Sequence, residues 1–126
     1  MITALLCASL LVHGLIHLAI WLPQDAAEQL PFDPGRSWVL TAAAPPRSEA
    51  VELAAVGFAS ATALLCAVAG TSAATQSDGW PIPAATGAVM GLILKALWFS
   101  PWLTAGLLLD TGVITSVLTS LPRPLY

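Results

Sequence analysis

Charged side chains are the scarcest feature of this sequence. Of its 126 residues only 9% are charged, with four Lys or Arg and seven Asp or Glu. A soluble domain carries about 25% charged residues, so these few cannot cover the water-exposed surface of a protein of this size. We therefore expect the lipid bilayer to be the solvent for most of the chain.

Basic residues and cysteines are also few, and this excludes several classes of function. Four basic residues cannot form a patch that neutralises nucleic-acid phosphates, so we expect no nucleic-acid partner. Cys7 and Cys66 lie singly in apolar segments, and no CxxC, zinc-finger or haem-attachment spacing occurs. No catalytic motif is recognisable, so the sequence does not indicate an enzyme.

What the chain does contain is apolar sequence, since 57% of its residues are hydrophobic. The apolar residues fall into four runs, each of about the 20 residues that cross a hydrocarbon core as a helix. The sequence therefore predicts an all-α fold, a bundle of four transmembrane helices in a single membrane domain, residues 1–126. The predicted spans are 2–22, 51–74, 81–100 and 103–121, and residues 23–50 form the only long loop.

Prolines mark the ends of these spans. Pro23 follows the first span and Pro81 opens the third, where a proline can end or begin a helix but not continue one. Pro101 separates the third span from the fourth and predicts a tight hairpin. Glu49 and Glu52 lie at the start of the second span, where carboxylates favour the helix dipole.

Tryptophans lie at the predicted boundaries of the spans. Trp21, Trp98 and Trp102 lie at the ends next to the long loop, and Trp80 lies at the opposite boundary. This placement is typical of aromatic side chains that anchor a protein at the membrane interface. The centre of the loop, residues 30–46, predicts a short surface helix or a segment folded back over the mouth of the bundle.

Four polar residues lie inside the predicted spans. A charged side chain in the centre of the bilayer costs about 2.5–3.5 kcal/mol on insertion scales, so each needs a partner or a wet cavity. From the helical rise, all four lie about 8–13 Å below the loop-side surface, in the same half of the membrane. They are a candidate cluster for binding an ion, a proton or a ligand: His13, His17, Lys95 and Asp110.

Glycines share helix faces with two of these residues. Gly87, Gly91 and Lys95 recur every four residues on the third span, and Gly106 shares a face with Asp110 on the fourth. Because small residues let helices approach closely, we expect these three glycines to lie at helix-packing surfaces. Lys95 and Asp110 should then point into the bundle, close to each other across the hairpin.

Each polar residue also has a purely structural interpretation. Lys95 can extend towards the interface as readily as it can pair, and Asp110 can form a structural ion pair. The histidines, at positions i and i+4, can hydrogen-bond across helices or ligate one divalent metal. Glu49 and Glu52 are possible peripheral members of the cluster or simple helix-dipole partners.

A resemblance supports the expected fold. The segments HGLIHLAIWLP at 13–23, PFDPGRSWVL at 31–40 and FSPWLTAGLLLD at 99–110 carry it. In layout the chain resembles small four-helix integral membrane proteins of high-GC bacteria, broadly similar in architecture to the DoxX-like group. The resemblance implies the bundle and a multi-pass location in the cell membrane, and it implies no functional residue.

Three hypotheses of function follow. The first is a non-enzymatic membrane module without a cofactor, acting as a homo-oligomer or as an accessory subunit of a larger membrane complex. The second is a small transporter or channel that uses the polar cluster to bind protons or ions. The third is a membrane redox protein that uses a divalent metal or haem, with His13 or His17 and Met90 as the nearest axial ligands for haem.

Overall fold

The computed structural model describes residues 2–22, 33–42 and 49–120, and every regular element in these ranges is helical. Four α-helices are present: α1 (Ile2–Trp21), α2 (Glu49–Ala74), α3 (Pro81–Leu97) and α4 (Thr104–Ser120). Two short 3₁₀ turns accompany them, Leu40–Ala42 in the long loop and Pro101–Leu103 before α4. Helices α1, α2 and α4, the last with its preceding 3₁₀ turn, are long and apolar enough to cross a membrane.

The third helix is shorter than the sequence predicts. The predicted span 81–100 ends as a helix at Leu97, because Trp98 leaves the helical conformation with φ −118° and ψ 50°. Ser100 is fully extended and Pro101 starts the 3₁₀ turn. The 17 residues of α3 are therefore about 25 Å long, less than the ~30 Å of a typical hydrocarbon core.

Small side chains bring successive helices together, so that α1 packs along α2, α2 along α3 and α3 along α4. At Gly14 an added Cβ would lie 3.0 Å from the Cβ of Cys66 and 3.1 Å from the carbonyl oxygen of Ala63. At Gly87 it would lie 3.2 Å from the Cβ of Leu65. Helices α1 and α4 make no comparable backbone contact in the described part of the chain, and a groove lies between them.

Two apolar clusters fill the two ends of the bundle. The one nearer the long loop contains Trp21, Val51, Ala55, Ala59, Leu94, Trp98 and Leu103. The other contains Leu10, Ala69, Ala73, Trp80, Ala84 and Val117. Along α1 and α4, His13, His17 and Asp110 lie between the two clusters, whereas Lys95 lies at the level of the loop-side cluster on α3, next to Leu94.

The tryptophans divide differently from the expected interfacial belt. Trp21, Trp98 and Trp80 are 1%, 2% and 5% exposed, so the expectation that they are interfacial anchors is wrong for these three. Trp21 and Trp98 pack edge to face with ring centroids 6.0 Å apart. Trp102 and Trp38 are the exposed ones. Position along a helix places a side chain near one end, but helix packing decides whether it faces lipid or protein.

Residues 33–42 of the long loop cap the carboxyl end of α3. The hydroxyl of Ser37 donates to the carbonyl of Leu97 at 2.5 Å, and the indole of Trp38 donates to the carbonyl of Ala96 at 2.7 Å. The indole of Trp98 donates in turn to the carbonyl of Pro34 at 2.7 Å. The last carbonyls of a helix have no hydrogen-bond donor within the helix, and this loop segment provides donors for two of them. The rest of the long loop, residues 23–32 and 43–48, lies outside the described residues.

Removing the Ser37 hydroxyl is expected to destabilise this end of the bundle. Ser37→Ala leaves the partly buried carbonyl of Leu97 without its donor, which costs about 1 kcal/mol or somewhat more. Denaturation of the detergent-solubilised protein, followed by helical circular dichroism, measures the loss. The control is Ser60→Ala at an exposed position on α2, and equal stability of the two variants would refute the capping role.

Candidate functional site

Three helices supply a hydrogen-bonded network of four side chains. His13 and His17 come from α1, Lys95 from α3 and Asp110 from α4, and all four are buried, Asp110 completely. The two imidazoles lie one helical turn apart, edge to face, with centroids 4.7 Å apart. The structure therefore brings together the four residues that the sequence singles out. Their functional role stays a prediction.

Asp110 is the centre of the network. Its Oδ1 lies 2.6 Å from Nε2 of His13, and its Oδ2 accepts a hydrogen bond from Nζ of Lys95 at 2.6 Å. Lys95 therefore pairs with Asp110 and does not extend to the interface. A buried charge is tolerated when an opposite charge and further hydrogen bonds compensate its lost hydration, and Asp110 has both.

The partners of His17 determine its tautomer. Its Nδ1 lies 3.1 Å from the backbone oxygen of His13, and this oxygen can only accept, so Nδ1 carries the proton. Its Nε2 lies 2.8 Å from Nζ of Lys95, and an ammonium can only donate, so Nε2 accepts. His17 is thus neutral. The ammonium directs its protons to His17, to Asp110 and, more weakly at 3.5 Å, to the carbonyl of Gly91.

His13 is the member of the network with an unused atom. Its Nε2 donates to the carboxylate of Asp110, whereas its Nδ1 is buried and has no hydrogen-bond partner in the described part of the chain. Buried polar atoms are rarely left unpaired. The opposite charges of Lys95 and Asp110 offset each other within the network.

Two of the predicted packing glycines make room for the ion pair. A Cβ at Gly91 would lie 2.8 Å from Oδ2 of Asp110, and a Cβ at Gly106 would lie 2.5 Å from Cε of Lys95. Real Cβ atoms essentially never come this close to another heavy atom. The third glycine, Gly87, faces α2 instead. The two glycines of α3 therefore pack against different helices, Gly87 against α2 and Gly91 against α4.

Two cavities lie along the groove between α1 and α4. The far cavity, about 330 Å³, lies beside Trp80, and the loop-side cavity, about 170 Å³, lies beside Trp21 and Trp102. Both are lined mainly by apolar side chains. Three residues line both cavities and form the constriction between them: His13, Ile16 and Leu109.

The remaining predicted residues lie outside this network. Glu49 is exposed and Glu52 is partly exposed in the first turn of α2, and neither contributes to the hydrogen bonds that join the four side chains. Met90 lines neither groove cavity. Nε2 of each histidine is hydrogen-bonded within the network, and the haem hypothesis stays a prediction.

Donor atoms for a metal are nevertheless close together. His13, His17 and Asp110 each offer one ligand atom, and these atoms lie within 4.8 Å of one another. The ammonium of Lys95 lies among them, bonded to Nε2 of His17 and Oδ2 of Asp110. Lys95 could also bind the anionic head group of a lipid, but its positive charge is already neutralised by Asp110.

Sequence reasoning missed the residues that shape the groove and the cap on α3. Ile16, Leu109 and Gly112 line the groove, but apolar residues in an apolar span carry no signal of their own. The capping role of Ser37 and Trp38 had one hint, since both follow directly on the Pro34–Gly35 turn. Comparisons with protein-family models, with curated proteins and with solved structures gave no match for this chain.

Proposed function

We propose that this protein is a multi-pass protein of the bacterial cell membrane in which all four helices are inserted. The length and apolar character of α1, α2 and α4 support insertion, as do their many exposed large apolar side chains, including Leu53, Leu64 and Leu108. Helix α3 packs between α2 and α4 and is too short to cross alone. Its capped end and the 3₁₀ turn then form the predicted hairpin to α4.

Within the membrane we propose a small transporter or channel for protons or small cations. The observation that carries this proposal is the position of His13. It lines both cavities of the α1–α4 groove where they meet, and it hydrogen-bonds to the fully buried Asp110 on α4. Because α1 and α4 are joined here by a polar contact and not by extensive packing, this contact is suited to act as a gate.

The chemistry of the groove limits what passes through it. Its walls are mainly apolar, and Lys95 is the one charged side chain among the described residues that line the two cavities. The carboxylate of Asp110, which neutralises Lys95, is fully buried beside the groove and hydrogen-bonded to His13. Such a groove offers no hydration to a large polar solute. A proton or a small cation needs only Asp110 and the histidines as temporary partners.

Flux into liposomes tests the transport proposal. Protein reconstituted with an internal pH-sensitive or cation-sensitive dye is expected to dissipate an imposed gradient faster than protein-free liposomes. An added Cβ at Gly112 meets open space in the far cavity, so Gly112→Leu should fill the cavity and lower the flux. The matched control is Gly57→Leu on α2, where an added Cβ also meets open space but lies outside the groove.

Two further variants test the gate itself. His13→Ala should join the two cavities and change the rate or the ion selectivity of the flux, and Asp110→Asn removes the negative charge of the network. Unchanged flux in both variants would rule out this site. Wild-type flux no greater than that of empty liposomes would rule out transport altogether.

A non-enzymatic module is the second candidate, and one observation favours it. The charges of Lys95 and Asp110 offset each other, and apart from Nδ1 of His13 the polar atoms of the network are paired. This is what a purely structural clamp between helices requires. In this role the exposed apolar faces contact lipid, a second copy or a partner subunit. Native mass measurement of the complex extracted in mild detergent would identify an oligomer or a co-purifying subunit, and a strict monomer would count against both.

A further inference from the structure

The ammonium of Lys95 lies among three side chains that could ligate a metal ion, and it contacts two of them directly. Its Nζ lies 2.8 Å from Nε2 of His17 and 2.6 Å from Oδ2 of Asp110, and Oδ1 of Asp110 lies 2.6 Å from Nε2 of His13. The ligand atoms of these three residues lie within 4.8 Å of one another. A side chain tethered to α3 thus provides the cation within a set of metal-ligand side chains.

The donor set has a defined preference. Two imidazole nitrogens and one carboxylate oxygen are the ligands of tetrahedral Zn²⁺ and of related ions such as Co²⁺. Ca²⁺ and Mg²⁺ prefer six or more oxygen ligands, whereas the three residues of this set provide two imidazoles and one carboxylate. His17 is already oriented as a ligand, because its Nδ1 donates to the backbone oxygen of His13 and its Nε2 faces the centre.

We propose that His13, His17 and Asp110 form a latent transition-metal site, and that Lys95 keeps divalent ions out by occupying the cation position itself. Lys95 is then the residue that determines the selectivity of the site. The proposal does not rest on transport, since it concerns binding alone. It predicts that the protein acquires a Zn²⁺ or Co²⁺ site when the ammonium is removed.

Methionine is the replacement for Lys95 that changes the shape of the side chain least. It is unbranched and close in length to lysine, and it can occupy the space against Gly106 where Cε of Lys95 now lies. Metal–ligand distances of about 2.0–2.2 Å are shorter than the 2.8 and 2.6 Å contacts of Nζ with His17 and Asp110, so these two ligands must move inwards by roughly half an ångström. His13, whose Nε2 now contacts Oδ1 of Asp110, must turn towards the ion. Nε2 of His13 must also pass its proton to Nδ1, which has no competing partner.

The test uses purified Lys95→Met protein carrying a tag without histidines. Titration with Co²⁺ is expected to give a stoichiometry of one and the visible absorption of tetrahedral cobalt, and Zn²⁺ is expected to displace it. Because a ligand that binds only the folded state stabilises it, both ions should also raise the unfolding temperature of this variant. Wild-type protein should show neither effect at the same concentrations, and Mg²⁺ should have no effect on either protein.

Three double variants locate the site. Adding His17→Gln or Asp110→Asn to Lys95→Met should abolish binding, whereas adding Glu52→Gln, a carboxylate outside the network, should not. Binding that survives loss of Asp110, or wild-type protein that binds cobalt equally well, would overturn the proposal. These measurements in detergent need no flux, so their failure is distinct from failure of transport.

A further control covers the case in which the Lys95→Met variant folds poorly. If Lys95→Met is recovered poorly, extraction in the presence of Co²⁺ should restore folded protein, because the metal replaces the missing positive charge beside Asp110. Lys95→Gln, which keeps a hydrogen-bond donor for Asp110, is examined in parallel. Folded protein that fails to bind cobalt, or no recovery of either variant with cobalt, would contradict the proposal.

Discussion

Replacing Asp110 with leucine, a side chain of similar size, is expected to destabilise the folded protein by about 3–5 kcal/mol, the usual cost of stranding one member of a buried ion pair. In this variant the ammonium of Lys95 stays in the bundle with only the ring of His17 and a distant carbonyl as partners. Lys95→Met should cost a similar amount, since the carboxylate then keeps only His13.

The double variant Asp110→Leu with Lys95→Met should be far less unstable than the sum of the two losses. It contains no unpaired charge, and its main remaining defect is the N–H of His13, which loses its acceptor at a cost of about 1–3 kcal/mol. Unfolding in detergent, followed by helical circular dichroism, measures the stability of the wild type, of the two single variants and of the double variant. These four values form a double-mutant cycle. Strictly additive losses would mean that the two side chains do not form the pair described here.

Gly91→Ala should be nearly as damaging, although it adds one methyl group. The new Cβ would lie 2.8 Å from Oδ2 and 3.0 Å from Oδ1 of Asp110. The carboxylate cannot swing away without breaking its bonds to Lys95 and His13. Overpacking costs about 1–3 kcal/mol, and the charged hydrogen bonds of Asp110 are weakened as well. Together these costs exceed the ~1 kcal/mol of stability that alanine gains over glycine in a helix.

Gly112→Ala is the matched control for this substitution. It is also a helical glycine, but its added Cβ meets no atom within 4 Å, so only the helix-propensity gain should remain. Gly106→Ala should lie between the two, because its Cβ would meet the flexible side chain of Lys95. Equal unfolding midpoints for Gly91→Ala and Gly112→Ala would show that the ion pair does not depend on the glycine.

Composition and helical geometry made the four helices predictable. The apolar runs and their flanking prolines place α1, α2 and α4 to within two residues at each end, because an uninterrupted apolar run of this length favours a helix in lipid and proline cannot continue one. The end of α3 was not predictable in the same way. Residues 98–100 are apolar or small enough to continue a helix, but the loop segment around Ser37 and Trp38 binds the last carbonyls of α3 and replaces a further turn.

For the site, helical rise and periodicity predicted that His13, His17, Lys95 and Asp110 lie in one half of the membrane and on small-residue faces. These rules follow from the 1.5 Å rise and the 3.6-residue turn, which apply to any helix wherever it packs. Partner choice does not follow from them. That Lys95 bonds both Asp110 and His17, and that Nδ1 of His13 is left without a partner, depends on the rotation of three helices relative to one another.

The sequence by itself thus determined that the chain is a helical bundle short of charge, with four polar side chains at one depth. The tertiary structure decided that those side chains form a hydrogen-bonded network centred on Asp110, that three tryptophans face protein, and that a groove lies between α1 and α4. The physical reason is that composition and periodicity act along one helix, whereas partners and cavities arise where side chains distant in sequence pack together.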